Sequence, residues 1–243
     1  GDFMDKTIFS IGGKNCLIYS AGQPVYLLIQ PVDDHDWEVL DEQVTAIAKA
    51  VQVPFVFVAF LVKDWNQELS PWDSPAVFGD SDFGHGAAET LHFVETVLLP
   101  AVRLRYHLPE GIPVILGGYS LAAFFSLWCA WQTPIFSAIA AASPSVWFPH
   151  WLDYAKRRSP QTQAIYLSLG DKEERTRNPV MASVGNCIRQ QYAYLAELPR
   201  MQVLLEWNRG NHFQQTEQRC AKAFAWCVLS WVPGPGGASS TRG

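Results

Sequence analysis

Charge is scarce in this chain. Only 17% of its 243 residues are Asp, Glu, Lys or Arg, and 23 acids against 18 bases leave a net charge of -5. A surface of that sign gives no electrostatic reason to expect nucleic acid or an anionic membrane as a partner. Cysteine is sparse too: Cys16, Cys129, Cys187, Cys220 and Cys227 are odd in number and scattered, with no CxxC or Cys/His spacing. That pattern excludes a zinc knuckle or a disulfide scaffold and points to reduced thiols in a cytoplasmic protein. Cys220 and Cys227, in a helical pattern, share a buried face rather than a bridge. No apolar run approaches the length of a membrane span. The first residues lack a basic segment followed by an apolar one, so no signal peptide is expected. Internal repeats are absent. One acidic cluster, Asp33-Asp34-His35-Asp36, could be drawn around a metal, but it reads better as a polar loop before a helix, with Asp36 as N-cap. Neither metal nor cofactor is expected.

Apolar residues are abundant, at 49%, and ten are Trp. The length suits one domain over residues 1–232, followed by a low-complexity tail, 233–243 (PGPGGASSTRG), too polar to order itself. Lys6–Ser10 and Asn15–Ser20 around Gly12-Gly13 read as a hairpin. Val25–Ile29 reads as a strand ending at Gln30-Pro31. Val39–Val51 has helical spacing, and Pro54–Val62 is a strand apolar on both faces, as a central parallel strand should be. Lys63–Gly86 is a long loop rich in aromatics, which argues for function rather than disorder. Ala87–Tyr106 reads as a long helix with Pro100 as its breaking point. Strands at Phe136–Ala141, Ala164–Leu169 and Gln202–Trp207 then alternate with helices at Val184–Leu198 and Gln215–Trp231. The expected fold is α/β: a doubly wound, mostly parallel sheet with no separate lid domain.

The strongest local signal is Pro113–Leu127. The strand Val114-Ile115-Leu116 runs into Gly117-Gly118-Tyr119-Ser120-Leu121-Ala122, and an apolar helix follows. A strand–sharp turn–helix of this kind presents a serine as a nucleophile. The turn is so tight that bulky side chains two before and two after the serine would clash, and Gly118 and Ala122 are both small. Serine needs a base to take its proton, and imidazole needs a carboxylate to hold its tautomer. Two such groups follow later strands: the acidic turn Asp171/Glu173/Glu174, and His212 after Gly210-Asn211. Ser, acid, His is the order found in α/β-hydrolases. His85 and His92 read as bystanders. An oxyanion needs backbone donors; Leu121 N–H supplies one, and the loop Gln30–Asp33 should supply the other, with Val32 chosen because Pro31 has no N–H.

Together GGYSLA, SPSVWF at Ser143–Phe148, the GDKEE turn and GNHF resemble the esterase-D-type branch of the α/β-hydrolases, which includes siderophore and feruloyl esterases and mycolyltransferases. The resemblance spans roughly Pro24 to Trp231. It implies Ser120 as nucleophile, His212 as base, the acid within the GDKEE turn, and Ser143–Trp147 near the site floor. Ala122 departs from the usual Gly, and Gln30-Pro31 stands where the group commonly has Asp-Gly. Counting three residues past the glycine that ends the strand selects Glu173 as the acid, with Glu174 and Asp171 still open. The function implied is a serine esterase acting on small or medium carboxylic esters through an acyl-enzyme. Trp72, Trp147 and Phe213 are the candidate substrate-binding residues, alongside Trp37 and Trp65. The alternatives are an acyltransferase on the same fold and a non-catalytic hydrolase-like binding protein.

Overall fold

The first two apolar segments pair antiparallel as a hairpin, β1 (Asp5–Ile11) and β2 (Lys14–Ser20). They are seen in a computed structural model that describes residues 4–230; the expected tail at 233–243 lies outside the described residues. The third strand, β3 (Tyr26–Val32), leads through α1 (Asp34–Glu38) and α2 (Leu40–Val51) to β4 (Phe55–Leu61). A short helix, α3 (Trp65–Glu68), opens the aromatic loop. Then come α4 (Ala87–Phe93), α5 (Leu99–Arg105), β5 (Val114–Tyr119) and α6 (Leu121–Gln132). The last part is β6 (Ala138–Ala142), α7 (Trp151–Lys156), β7 (Ala164–Gly170), α8 (Pro179–Ala182), α9 (Val184–Ala196), β8 (Gln202–Asn208) and α10 (Thr216–Ser230).

The sheet runs β1-β2-β4-β3-β5-β6-β7-β8, antiparallel from β1 to β4 and parallel beyond. Because it is covered on both sides, its central strands are apolar at successive positions rather than alternating. One face packs Leu28, Phe57 and Ile115 against Val44 and Ile47 of α2 and Phe224 and Cys227 of α10. The other packs Ile29, Val58 and Leu116 against Val102 of α5, Phe124 of α6 and Ile188 of α9. Each fully buried Leu, Ile or Phe contributes about 1.5–3 kcal/mol.

Two local readings differ from expectation. β3 does not stop at Gln30-Pro31 but runs through it, with Pro31 opposite Phe60 of β4. Leu27 N–H points to the β5 side, where it meets the Pro113 carbonyl. Two-residue alternation puts Pro31 on that same side, and pairing with β5 has already ended at Ile29. The missing N–H of Pro31 therefore costs no ladder bond. The Ala87–Tyr106 helix is likewise not broken at Pro100. Val94–Leu98 forms a widened π turn in which Leu99 N–H reaches back five residues to Val94 O. That wider turn gives the proline ring room where a regular α turn would press it against the preceding carbonyl. Asp33 rather than Asp36 is the N-cap of α1, and Asp36 closes a capping box on it.

From β3 the chain turns first to β4 on one side and later to β5 on the other. The loops after β3 and β5 therefore diverge at the carboxyl edge of the sheet, where such folds open a crevice.

Candidate active site

Ser120 sits between the last residue of β5 and the first of α6, with φ 62° and ψ -122°. A non-glycine residue there stores about 1–3 kcal/mol of strain, tolerated only where the surroundings hold it. Ser120 N–H to Ala142 O, and Ser145 N–H and Phe124 N–H to Ser120 O, hold it on three sides. A Cβ placed on Gly118 would lie 2.8 Å from the Ala122 Cβ. The turn thus accommodates one methyl across itself but not two, which is why Ala122 is acceptable so long as residue 118 is glycine.

The serine, the acid and the histidine come together although they are far apart in the chain. His212 Nε2 lies 2.9 Å from Ser120 Oγ, and His212 Nδ1 lies 2.6 Å from Glu173 Oε1. The other carboxylate oxygen, Glu173 Oε2, accepts the Gly170 N–H at 2.6 Å and the Ser143 hydroxyl at 2.8 Å. Burial works to raise the Glu173 carboxyl. The hydrogen bond and charge of His212, with the Gly170 and Ser143 donors, outweigh it and hold the group below the usual carboxylate range. The neighbouring acids are engaged elsewhere. Asp171 accepts Gly210 N–H at 3.0 Å, and Glu174 forms a two-pronged pair with Arg189 at 3.0 and 3.1 Å.

Ser120, Glu173 and His212 line a cavity of about 810 Å³. Its wall includes two of the three substrate-binding candidates, Trp147 and Phe213, together with Trp65, Phe78 and Phe83 from the aromatic loop. Ser143, Pro144 and Ser145 line it as well, so this segment does border the site. The third candidate, Trp72, lies off the wall. Its indole donates to Pro149 O at 2.9 Å and packs against Phe148 and Tyr154, beneath the loop rather than toward the serine.

Leu121, the first residue of α6, borders the cavity, and as a first-turn N–H it has no partner within its own helix. Val32 does not reach the cavity: it is fully buried, and its carbonyl accepts Val62 N–H on the β4 side of the strand. A residue in a parallel strand turns both backbone polar groups to one neighbour, so its N–H is committed to the sheet. The residue of this loop that borders the cavity is Asp33, and its N–H is 3.2 Å from Asp36 Oδ2. Burial first, and the Asp33 charge second, push the Asp36 carboxyl up to about 8. Among the described residues no group of three or more His, Cys, Asp or Glu could hold a metal ion.

One role and one neighbour of the site were missed in the sequence. Ser143, expected only near the site floor, has φ 45° and supplies a hydroxyl to Glu173. Arg219 is 2% exposed and within 3.5 Å of Glu173 Oε2. Its signal was legible, since an arginine on the Cys220–Ala223–Cys227 stripe of an amphipathic helix has to find partners inside.

The Esterase family model, described as "Putative esterase", matches residues 22–201. No curated protein matches the chain in sequence. In fold it is similar to an IroE-like serine hydrolase from Shewanella oneidensis, at TM-score 0.70 and 13% identity over 95% of this chain and 82% of that one. It is also similar to the siderophore hydrolase EstA from Aspergillus nidulans, at TM-score 0.73 and 16% identity over 94% and 95%. A third similar structure is the enterobactin esterase FES from Shigella flexneri, at TM-score 0.66 and 16% identity, where 95% of this chain spans 59% of that one.

Proposed function

The chain belongs to the esterase family and hydrolyses carboxylic esters, and on that premise we propose that it does so as a serine hydrolase, with Ser120 as nucleophile, His212 as general base and Glu173 as the orienting acid. The observation that carries this reading is the unbroken path Ser120 Oγ–His212 Nε2, His212 Nδ1–Glu173 Oε1, at 2.9 and 2.6 Å, ending in the wall of the cavity. In the first half-reaction His212 takes the Ser120 proton as Oγ bonds to the acyl carbon. The proton then passes to the leaving alcohol as the ester C–O bond breaks. In the second half-reaction water gives its proton to His212 and attacks the acyl carbon, and Ser120 leaves with that proton.

Glu173 keeps Nδ1 protonated and Nε2 free to accept, and stabilises the imidazolium while it exists. Leu121 N–H is the donor for the developing oxyanion. The cavity volume of about 810 Å³ falls within the range of small-molecule sites and supports small or medium esters, with Trp65, Phe83 and Trp147 against the apolar part. Five unpaired thiols, four of them buried, support a reducing, cytoplasmic setting for this reading. A fluorophosphonate probe tests it: the protein should be labelled once, on the peptide containing Ser120, and labelling that survives Ser120→Ala overturns the assignment.

A further inference from the structure

We propose that Arg219 is a positioning residue that locks the histidine loop to the serine turn, acting through the Tyr119 hydroxyl. This inference rests on the serine-hydrolase reading above. An arginine this deeply buried is expected to face a carboxylate squarely. Arg219 does not: Glu173 Oε2 is 3.5 Å away, beyond good hydrogen-bond range, and the guanidinium spends its donors on neutral oxygens instead. Nη1 donates to Asn211 O at 2.8 Å and to the Tyr119 hydroxyl at 2.9 Å, while Nη2 donates to Arg209 O at 2.9 Å. The Tyr119 hydroxyl passes the restraint on by donating to His212 O at 2.6 Å.

The carbonyls of residues 209, 211 and 212 are thus held, directly or through one phenol, by a single side chain. Tyr119 is also the residue immediately before Ser120, and its ring lies 5.1 Å from the His212 imidazole, centroid to centroid. The clamp therefore joins two loops whose relative placement sets the Ser120–His212 distance. The backbone makes room for it: a Cβ on Gly170 would come within 2.4 Å of Gly210 O and 3.1 Å of Arg219 Nη1. Meanwhile the buried Nε of Arg219 has no partner among the described residues. Loop position, rather than charge neutralisation, is what the hydrogen bonds of Arg219 accomplish.

Misplacing a catalytic base by about 1 Å costs on the order of 10²-fold in rate. Tyr119→Phe removes only the relay oxygen, and Arg219→Met removes the donors while keeping much of the stem. Both variants should lower kcat and the rate of fluorophosphonate labelling of Ser120 by about 10- to 100-fold. KM should stay within about twofold, because no substrate contact is lost. The double variant should fall no further than Arg219→Met alone, since both changes release the same loop. The downfield proton resonance of His212 Nδ1–H should broaden in both variants and recover partly in Arg219→Lys. A purely structural role predicts a lower Tm with unchanged labelling rate below it, and that result, or an unchanged Nδ1 resonance in folded Tyr119→Phe, overturns the proposal. If Arg219→Met does not fold, Tyr119→Phe decides alone. Failure of the wild-type protein to label at Ser120 sinks the serine reading itself and is distinguishable from equal labelling of wild type and variants, which sinks only the clamp.

Discussion

Replacing Glu173 by Gln removes one negative charge and leaves the shape of the side chain. The carboxylate is 4% exposed, accepts two donors on Oε2, and faces the His212 ring nitrogen through Oε1 at 2.6 Å. An amide in its place either turns its N–H₂ toward Nδ1, forcing the tautomer that blocks Nε2 as a base, or turns its oxygen there without the charge that stabilises imidazolium. Either outcome should reduce kcat by about 10⁴-fold, equivalent to roughly 5 kcal/mol at 1.36 kcal/mol per decade. Asp171→Asn, which weakens only one contact to Gly210 N–H, and Glu174→Gln, which loosens a surface pair with Arg189, should each stay within about tenfold of wild type. Steady-state hydrolysis of p-nitrophenyl acetate by the three variants, each checked for folding by circular dichroism, gives the comparison. Glu173→Gln retaining more than about a tenth of wild-type kcat, or Glu174→Gln collapsing in its place, refutes the reasoning. The same carboxylate also shapes stability. Its pKa is lowered in the folded state, so its contribution is present above the unfolded value of about 4.3 and is lost as pH falls through the folded one. The acid-induced loss of stability should therefore be smaller in Glu173→Gln than in wild type.

Asp36 acts in the opposite direction: with its folded carboxyl raised to about 8, the native state holds a proton that the unfolded chain releases near pH 4. Its contribution is thus present below about pH 4 and lost as pH rises toward 8, by at most about 1.4 kcal/mol per unit. Asp36→Asn should flatten urea-derived stability across that window; an unaltered slope there refutes the assignment. Trp72→Ala should cost about 2–4 kcal/mol of stability, because its indole packs on Phe148 and Tyr154 and donates to Pro149 O. Relative rates across an ester panel should be unchanged in Trp72→Ala and altered in Trp147→Ala, whose side chain borders the cavity; the reverse pattern contradicts the placement of both. Methanol added to the assay should compete with water for the acyl-enzyme and yield some methyl ester, detected by mass spectrometry, and complete absence of transfer at high alcohol argues against a long-lived acyl-enzyme.

What the sequence by itself determined is what short-range sterics and burial demand. The Gly118-x-Ser120-x-Ala122 spacing could be read because the clash it avoids, 2.8 Å between two β-carbons, lies within one turn. The apolar run of β4 announced a strand covered on both faces, and the chain order Ser, acid, His followed from their places just after three of the later strands, β5, β7 and β8. Other features depended on contacts between distant residues. Counting from Gly170 favoured Glu173 but left Glu174 and Asp171 open; the 3₁₀ turn Glu173–Arg175 turns Glu173 inward to His212 and sends Glu174 out to Arg189. Val32 was the wrong choice because strand alternation across the β3–β4 ladder, not the position of Pro31, decides where its N–H points. Trp72 looked like a pocket residue by composition, yet its direction is set by Pro149, 77 positions away in sequence. Arg219 stands 100 residues from Tyr119, and only the packing of α10 beside β5 puts a guanidinium between the two loops that carry Ser120 and His212.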